Sequence, residues 1–269
     1  MPPGFVVLLA RRLSMRTTTR TTRRTATSSA IAVVGLLFAD GCIASEDDAP
    51  EQATAVAALS QDDCNGPDPV LYPTHSHPFG RSLEDWAEAW WHWGFSIPLS
   101  LNPNDTATAD PGQNQRGPVY FLANPPIDGR TFEVPRHKAI AVLLSSVLND
   151  YPCPDPTFRP APGQTLFDFL TLGAAQADNV ADIESSFDGV ALSNLTSSHF
   201  TSHKLMHITG DLTLQVLDAC ITGSPQPAVI EAYFMMLRPP GPGTHVLTTR
   251  IITKAGVDLG LKTRTIHVR

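Results

Sequence analysis

The clearest periodic pattern of the chain lies between residues 82 and 98, where large apolar side chains recur at steps of three and four. That spacing places them on one stripe of an α-helix. The stripe consists of Leu83, Trp86, Trp90, Trp93 and Ile97. Ser82 and Asp85 have the spacing of a capping box at the start of this helix, and Pro98 is expected to end it. We expect the tryptophans to pack in the core, and an exposed sugar-binding platform is the alternative.

Beyond this helix, short segments rich in β-branched and aliphatic residues alternate with Pro, Gly and Asn. They predict strands at Val119–Ala123, Thr131–Val134, Ile140–Leu148, His207–Leu217, Val229–Leu237, His245–Thr253 and Val257–Val268. An irregular loop is predicted at Pro152–Gly163, a second helix within Leu166–Phe187 and a turn at Asp188-Gly189. The pattern is typical of a mainly β fold, an antiparallel β-sandwich of jelly-roll or immunoglobulin-like type with two inserted helices. A ligand-holding β-barrel is the alternative.

The N-terminal region has the order of charges and apolar residues that an export signal requires. Four arginines follow residue 15, then the apolar run Ala30–Ala39 and then Gly41-Cys42. The run is shorter than the roughly 20 residues of a membrane-spanning helix. We therefore predict a signal peptide at 1–41 with Met15 as initiator and Cys42 as lipid acceptor, with simple secretion or an uncleaved anchor as alternatives. The expected location is the cell envelope, as an outer-membrane-anchored lipoprotein, or the exterior.

The N-terminal region also differs from the rest of the chain in its charge. Six of the 19 basic residues but only one of the 26 acidic residues lie in residues 1–41, which leaves the remainder with a formal charge of −12. This balance argues against nucleic acid as a partner and predicts membrane contact through the N-terminal lipid only. Residues 42–60 are expected to form a flexible acidic tether, and residues 61–269 a single β-sandwich domain.

The chain contains four cysteines, and no pair has the C-x-x-C spacing of redox or structural zinc sites. We expect a disulfide between Cys153 and Cys220, because both lie in loops between apolar runs and an exported protein folds under oxidising conditions. If Cys42 carries a lipid, one thiol remains, and a structural envelope component with an intermolecular disulfide becomes a further hypothesis.

Several histidines have spacings that invite a metal-binding hypothesis. The candidates are His75, His77, His199, His203, His207 and His245. His199, His203 and His207 recur every four residues, which would align three imidazoles on one face of a helix. On a strand, positions four apart lie about 13 Å from one another. His75 and His77 project to the same side of an extended segment, and pairing with His245 is the first geometry to test. Zinc or copper would be the ion; the competing interpretation is surface or hydrogen-bonded histidines without a cofactor.

Four motifs resemble a family of secreted bacterial proteins that is itself uncharacterised. They are W-W-H-W at 90–93, S-I-P at 96–98, G-P-V-Y-F-L at 117–122 and a proline–glycine turn at 238–244 before a histidine-bearing strand. The likeness covers roughly residues 82–252. The resemblance supports export and the predicted fold, and it implies no activity, cofactor or catalytic residue.

No serine-hydrolase, zincin, Walker or dinucleotide motif is present, so the catalytic residues stay unknown at this level. Glu84, Glu88 and His92 recur every four residues, which is typical of a solvated helix face and less often of an acid–base row. The sequence favours an exported protein that binds an extracytoplasmic ligand, glycan or protein partner. An extracellular histidine-dependent metallohydrolase or a polysaccharide lyase is the alternative.

Overall fold

The structure is a computed structural model that describes residues 69–124 and 128–269. The described residues contain two α-helices, α1 (Leu83–Phe95) and α2 (Leu166–Ala177). The strands are β1 (Val119–Leu122), β2 (Arg130–Val134), β3 (Ala139–Asp150), β4 (Val180–Phe187), β5 (Val190–Leu192), β6 (His199–Thr201), β7 (Met206–Ile208), β8 (Gln226–Leu237), β9 (Gly243–Thr253) and β10 (Asp258–Val268). The predicted mainly β sandwich with two helices is confirmed.

The strands form two open five-stranded sheets. In the first, β1, β3, β8 and β6 are neighbours in that order, and β7 also pairs with β8; the second has the order β2, β10, β9, β4 and β5. Within the described residues neither sheet closes on itself, so the barrel alternative is wrong. Most pairs are antiparallel as expected, but β1 pairs with β3 and β2 pairs with β10 in parallel. The two sheets are therefore mixed, because β1, β2 and β3 alternate between the sheets along the chain.

Helix α1 is anchored as its apolar stripe predicts. The capping box of Ser82 and Asp85 is formed, and all stripe tryptophans are buried. Each indole N–H of the stripe donates to a backbone carbonyl: Trp86 to Pro78, Trp90 to Leu122 and Trp93 to Gln113. These contacts favour core packing over a sugar platform, since a buried indole with a satisfied N–H cannot present its face to a ligand. The helix ends at Phe95, before Pro98.

Two predicted elements were wrong in part. The second helix stops at Ala177, and the last part of the predicted range, Val180–Phe187, forms β4. Strand β4 pairs with β9 over most of its length, so tertiary pairing overrides the helical spacing of its apolar residues. The predicted strand His207–Leu217 is limited to β7 and is followed by a 3-10 turn at Leu212–Val216. Asp211 caps that turn by accepting a hydrogen bond from the Thr213 N–H.

The disulfide between Cys153 and Cys220 is confirmed and joins the loop after β3 to the loop before β8. The predicted signal peptide at 1–41, the lipid-accepting Cys42, the tether at 42–60 and the remaining thiol of Cys64 lie outside the described residues. Among the helices that the structure describes, none is both long and apolar enough to cross a bilayer.

Candidate functional site

A surface cleft of about 260 Å³ lies between the segment that enters α1 and the loop that enters β6. Three of the histidines identified from the sequence, His75, His77 and His199, line it together with Glu84. We call this surface the histidine cleft. His75 and His77 are exposed, so their imidazoles are available to a ligand from solvent. The cleft therefore brings together residues that are far apart in the chain and whose side chains can form hydrogen bonds.

The rest of the histidine cleft combines hydroxyl groups with aromatic rings. Ser76, Ser82, Ser197 and Ser198 line it together with the partly exposed Phe200 and the fully buried Phe234. A second cleft of about 220 Å³ adjoins it and shares five lining residues: Thr74, Leu83, Ser197, Ser198 and Phe234. The surface available to a ligand therefore extends beyond a single small pocket.

The segment that carries His75 and His77 is fixed to the first sheet. Leu71 forms an isolated bridge with Leu237, and the Tyr72 N–H donates to the Met236 carbonyl at 2.9 Å. The Arg238 guanidinium lies over the Tyr72 ring, 4.8 Å from its centroid. These contacts place the two histidines next to the end of β8, so one wall of the cleft is set by the core of the fold.

His199 of the cleft wall also belongs to a second group of polar side chains. His199 Nε2 lies 3.0 Å from Glu231 Oε1, and one donor atom from each of Asp178, His199 and Glu231 lies within 4.8 Å of the other two. Register explains the arrangement, because His199 of β6 pairs with Tyr233 of β8 and Glu231 is two residues away on the same face. Asp178 comes from the short connection between α2 and β4.

Tyr233 and Lys254 complete this group. The Tyr233 ring centroid lies 4.5 Å from that of His199, and the Tyr233 hydroxyl donates to Asp178 Oδ2 at 3.4 Å. The Lys254 ammonium donates to the same oxygen at 2.8 Å. Burial, with a smaller effect of Asp178, raises the pKa of Tyr233 to about 12, so its hydroxyl stays protonated and acts as a donor.

Glu231 is the electrostatically costly member of the group. Its side chain is only 6% exposed, and its Oε2 atom is buried without a hydrogen-bond partner. Burial raises the pKa of Glu231, and the hydrogen bond to His199 opposes that shift. A carboxylate with one satisfied and one unsatisfied oxygen is the arrangement that a further cation or donor would stabilise.

The other predicted metal ligands lie apart from the Asp178–His199–Glu231 group. His203 is 67% exposed and contacts Glu84 at 2.8 Å, at the edge of the histidine cleft. His207 is exposed on β7. Among the described residues, no group of three potential ligands contains either residue. The predicted series at 199, 203 and 207 therefore does not converge, because its members lie on two short strands and the loop between them.

His245 does not join His75 and His77 in any three-ligand group of the described residues. Its ring stacks on Phe187, its Nδ1 contacts Asp188 at 2.7 Å and its Nε2 contacts the Gly241 carbonyl at 2.9 Å. Burial opposes protonation, but the bonds to Asp188 and Gly241 outweigh it and raise the pKa of His245. Both ring nitrogens are engaged, which favours a structural role at the turn between β8 and β9.

In the helical row of Glu84, Glu88 and His92, the two glutamates are half-buried and the histidine is exposed. Burial raises the pKa of Glu88 and lowers the pKa of His92, and one Glu88 oxygen is buried without a partner. Of the three residues, Glu84 lines the histidine cleft.

Sequence reasoning missed Asp178, Glu231, Tyr233 and Lys254. Glu231 carried a usable signal, since it is the only charged residue in the apolar run Val229–Leu237. A charge in a strand that is buried on both faces requires a partner or a function. Asp178 and Lys254 carried no such signal, because both lie in polar connections.

Comparisons with known proteins assign no family. No protein-family model matches the chain, and no curated protein sequence matches it. A solved structure, described as the solution structure of amebosin, aligns with 53% of this chain and 90% of its own at 8% identity and a TM-score of 0.19.

Proposed function

We propose that this protein is exported and binds a polyhydroxylated ligand, such as a short glycan segment, in the histidine cleft. The proposal depends on one observation, the meeting of His75, His77, His199 and Glu84 in a single cleft. Sugar hydroxyls both donate and accept hydrogen bonds, and imidazole, carboxylate and serine groups supply the complementary atoms.

The apolar part of the cleft supports the same ligand class. The C–H faces of a sugar ring pack on aromatic side chains, and Phe200 is a partly exposed aromatic residue of the wall. A cleft of about 260 Å³ is slightly smaller than the roughly 300–1,000 Å³ of pockets that enclose drug-sized ligands. A short segment of a longer chain is therefore a better fit than a large rigid molecule.

Calorimetric titration with a panel of neutral and acidic oligosaccharides tests this function. We expect one ligand class to bind, and the double substitution His75→Ala and His77→Ala to weaken binding by about tenfold, the loss of roughly 1.4 kcal/mol. His137→Asn is the matched control, because His137 is exposed, has a positive φ that Asn tolerates and lies outside the cleft. A panel without binding, or equal binding by the double variant, would contradict the proposal.

Export is supported by the disulfide of Cys153 and Cys220, which is typical of proteins that fold outside the reducing cytosol. We expect the mature chain to begin at Cys42, to carry a lipid and to fractionate with membranes. Cys42→Ser should move the chain to the soluble exported fraction. An unprocessed chain with reduced thiols inside the cell would contradict export.

A second candidate function is hydrolysis by a metal-bound water molecule. One observation favours it: His199 both lines the cleft and belongs to the Asp178–His199–Glu231 group, so a reactive group there would face a bound substrate. Chelator-sensitive cleavage of a glycan or ester by the purified protein would support this function over simple binding.

A further inference from the structure

We propose that Asp178, His199 and Glu231 form a binding site for one zinc ion. The proposed site shares His199 with the histidine cleft, but it does not depend on the glycan, since its other two ligands, Asp178 and Glu231, do not line that cleft. Imidazole nitrogen and carboxylate oxygen are ordinary zinc ligands, and three protein ligands leave one position open. The set contains too few oxygens for calcium, which takes six to eight of them.

The geometry is close to that of a tetrahedral site. Zinc–nitrogen and zinc–oxygen distances of about 2.1 Å place ligand atoms roughly 3.4 Å from one another. His199 and Glu231 are 3.0 Å apart, and all three donor atoms lie within 4.8 Å of each other. No pair of the three atoms therefore exceeds this spacing by more than about 1.4 Å.

The unpartnered oxygen of Glu231 is a second and independent indication of a ligand. The side chain is more than nine-tenths buried, and Oε2 contacts no donor, although the neighbouring Oε1 contacts His199. Buried carboxylate oxygens are normally satisfied, because loss of their hydration is costly. A zinc ion bound by both oxygens of the Glu231 carboxylate would supply the missing partner of Oε2.

Lys254 explains how the group is neutralised without a metal. Its ammonium contacts Asp178 Oδ2 at 2.8 Å, and its side chain is 56% exposed. A lysine on a flexible stem can leave for solvent when a dication approaches, so the ammonium and the metal compete for the same carboxylate. Tyr233 keeps its hydrogen bond to Asp178 and orients that ligand from outside the metal shell.

Two substitutions with opposite expected effects test the site. Glu231→Gln removes the buried negative charge and should weaken zinc binding by about 100-fold, because a neutral amide is a poor zinc ligand. Lys254→Met removes the competing ammonium and retains the length of the stem. It should tighten zinc binding by about three- to tenfold, which a merely structural role of Lys254 does not predict.

The measurement is calorimetric titration of the disulfide-bonded, chelator-stripped full chain with zinc chloride, with the zinc content counted by mass spectrometry. We expect one zinc ion per chain and little binding of calcium. Glu184→Gln is the matched control, since Glu184 is an exposed carboxylate paired with Arg250 and should leave zinc binding unchanged. Circular dichroism checks the fold of each variant. If Glu231→Gln does not fold, Lys254→Met still tests the site, because Lys254 is largely exposed and its substitution should leave the fold intact.

Three results would overturn the zinc site. They are no zinc bound at micromolar protein, equal zinc affinity in Glu231→Gln, and zinc binding that His75→Ala abolishes while Glu231→Gln retains it. Glycan titration in the presence of chelator separates this proposal from the proposed function. Loss of the zinc site alone would leave that glycan affinity in place, whereas failure of the cleft proposal would leave zinc binding intact.

Discussion

Two regions of the domain bury carboxylates, and they differ in the cations that accompany them. The first, here called the acid pocket, consists of Asp105, Asp150 and Asp218. Asp105 and Asp218 line one cavity, and Asp218 raises the pKa of Asp150 through like-charge repulsion. The second is the Asp178–His199–Glu231 group, where an imidazole and the Lys254 ammonium lie among the carboxylates.

In the described part of the chain, burial and Asp218 set the pKa values of the acid pocket, and no cation is among their causes. Burial raises the pKa of Asp105 to about 6, and burial together with Asp218 raises the pKa of Asp150 to about 8. Both groups are stabilised in the protonated form, so neutral pH makes them a cost to folding. In the second group His199 opposes the effect of burial on Glu231. The comparison indicates that the acid pocket affects stability and that the second group is suited to bind a cation.

The disulfide beside the acid pocket should have the largest effect on stability. The Cys220 N–H donates to Asp218 Oδ1 at 3.0 Å, and Cys153 lies three residues after Asp150. Replacing both cysteines by serine should lower the free energy of unfolding by about 2–5 kcal/mol, because the unfolded chain gains conformational freedom. Denaturant unfolding at pH 5 and at pH 8 measures this loss, and an unchanged midpoint would contradict it.

The acid pocket also predicts how stability depends on pH. An Asp150 pKa of about 8 in the folded state lies above the ordinary value of 3.8. Between these two values the folded state binds a proton that the unfolded state lacks, so stability is lost as the pH rises toward 8. Asp150→Asn keeps the oxygen that accepts the Gln226 amide and removes the titration. We expect the variant to abolish about 3 kcal/mol of the decrease in unfolding free energy between pH 5 and pH 8.

Asp182→Asn provides the control for this pH dependence. Asp182 is exposed on β4, where its carboxylate accepts a local backbone hydrogen bond from the Ile183 N–H. The control should retain the full decrease between pH 5 and pH 8. If Asp150→Asn and Asp182→Asn show the same pH dependence, the acid pocket does not produce it.

The two regions also show what the sequence could predict. Local patterns were sufficient for α1, whose capping box and apolar stripe depend on neighbours within one helix, and for the strands with strong turn signals such as Asp188-Gly189. They failed at β4, where pairing with β9 determines the structure. Cys153 and Cys220 could be paired because few cysteines were available and both lie in loops.

The candidate site was predictable only in part. The histidine spacing identified His75, His77 and His199 as residues of interest, but their meeting in one cleft depends on the bridge of Leu71 to Leu237 and on the pairing of β6 with β8. Asp178 lies near His199 because it directly follows Ala177, the last residue of α2. Such contacts join residues far apart in the chain, and neither periodicity nor spacing encodes them.

The smallest expected effect concerns Glu231 in the metal-free protein, and it sharpens the comparison most directly. Burial raises the folded-state pKa of Glu231. The protein's free energy of unfolding therefore also falls through this residue as the pH rises above 4.5, the ordinary pKa of a glutamate. Because His199 opposes the shift, we expect Glu231→Gln to change the pH dependence between pH 5 and pH 8 less than Asp150→Asn does. Denaturant titrations of both variants in chelator measure the difference. An equal or larger effect of Glu231→Gln would show that His199 and Lys254 do not compensate the buried charge, and the distinction between the two regions would be lost.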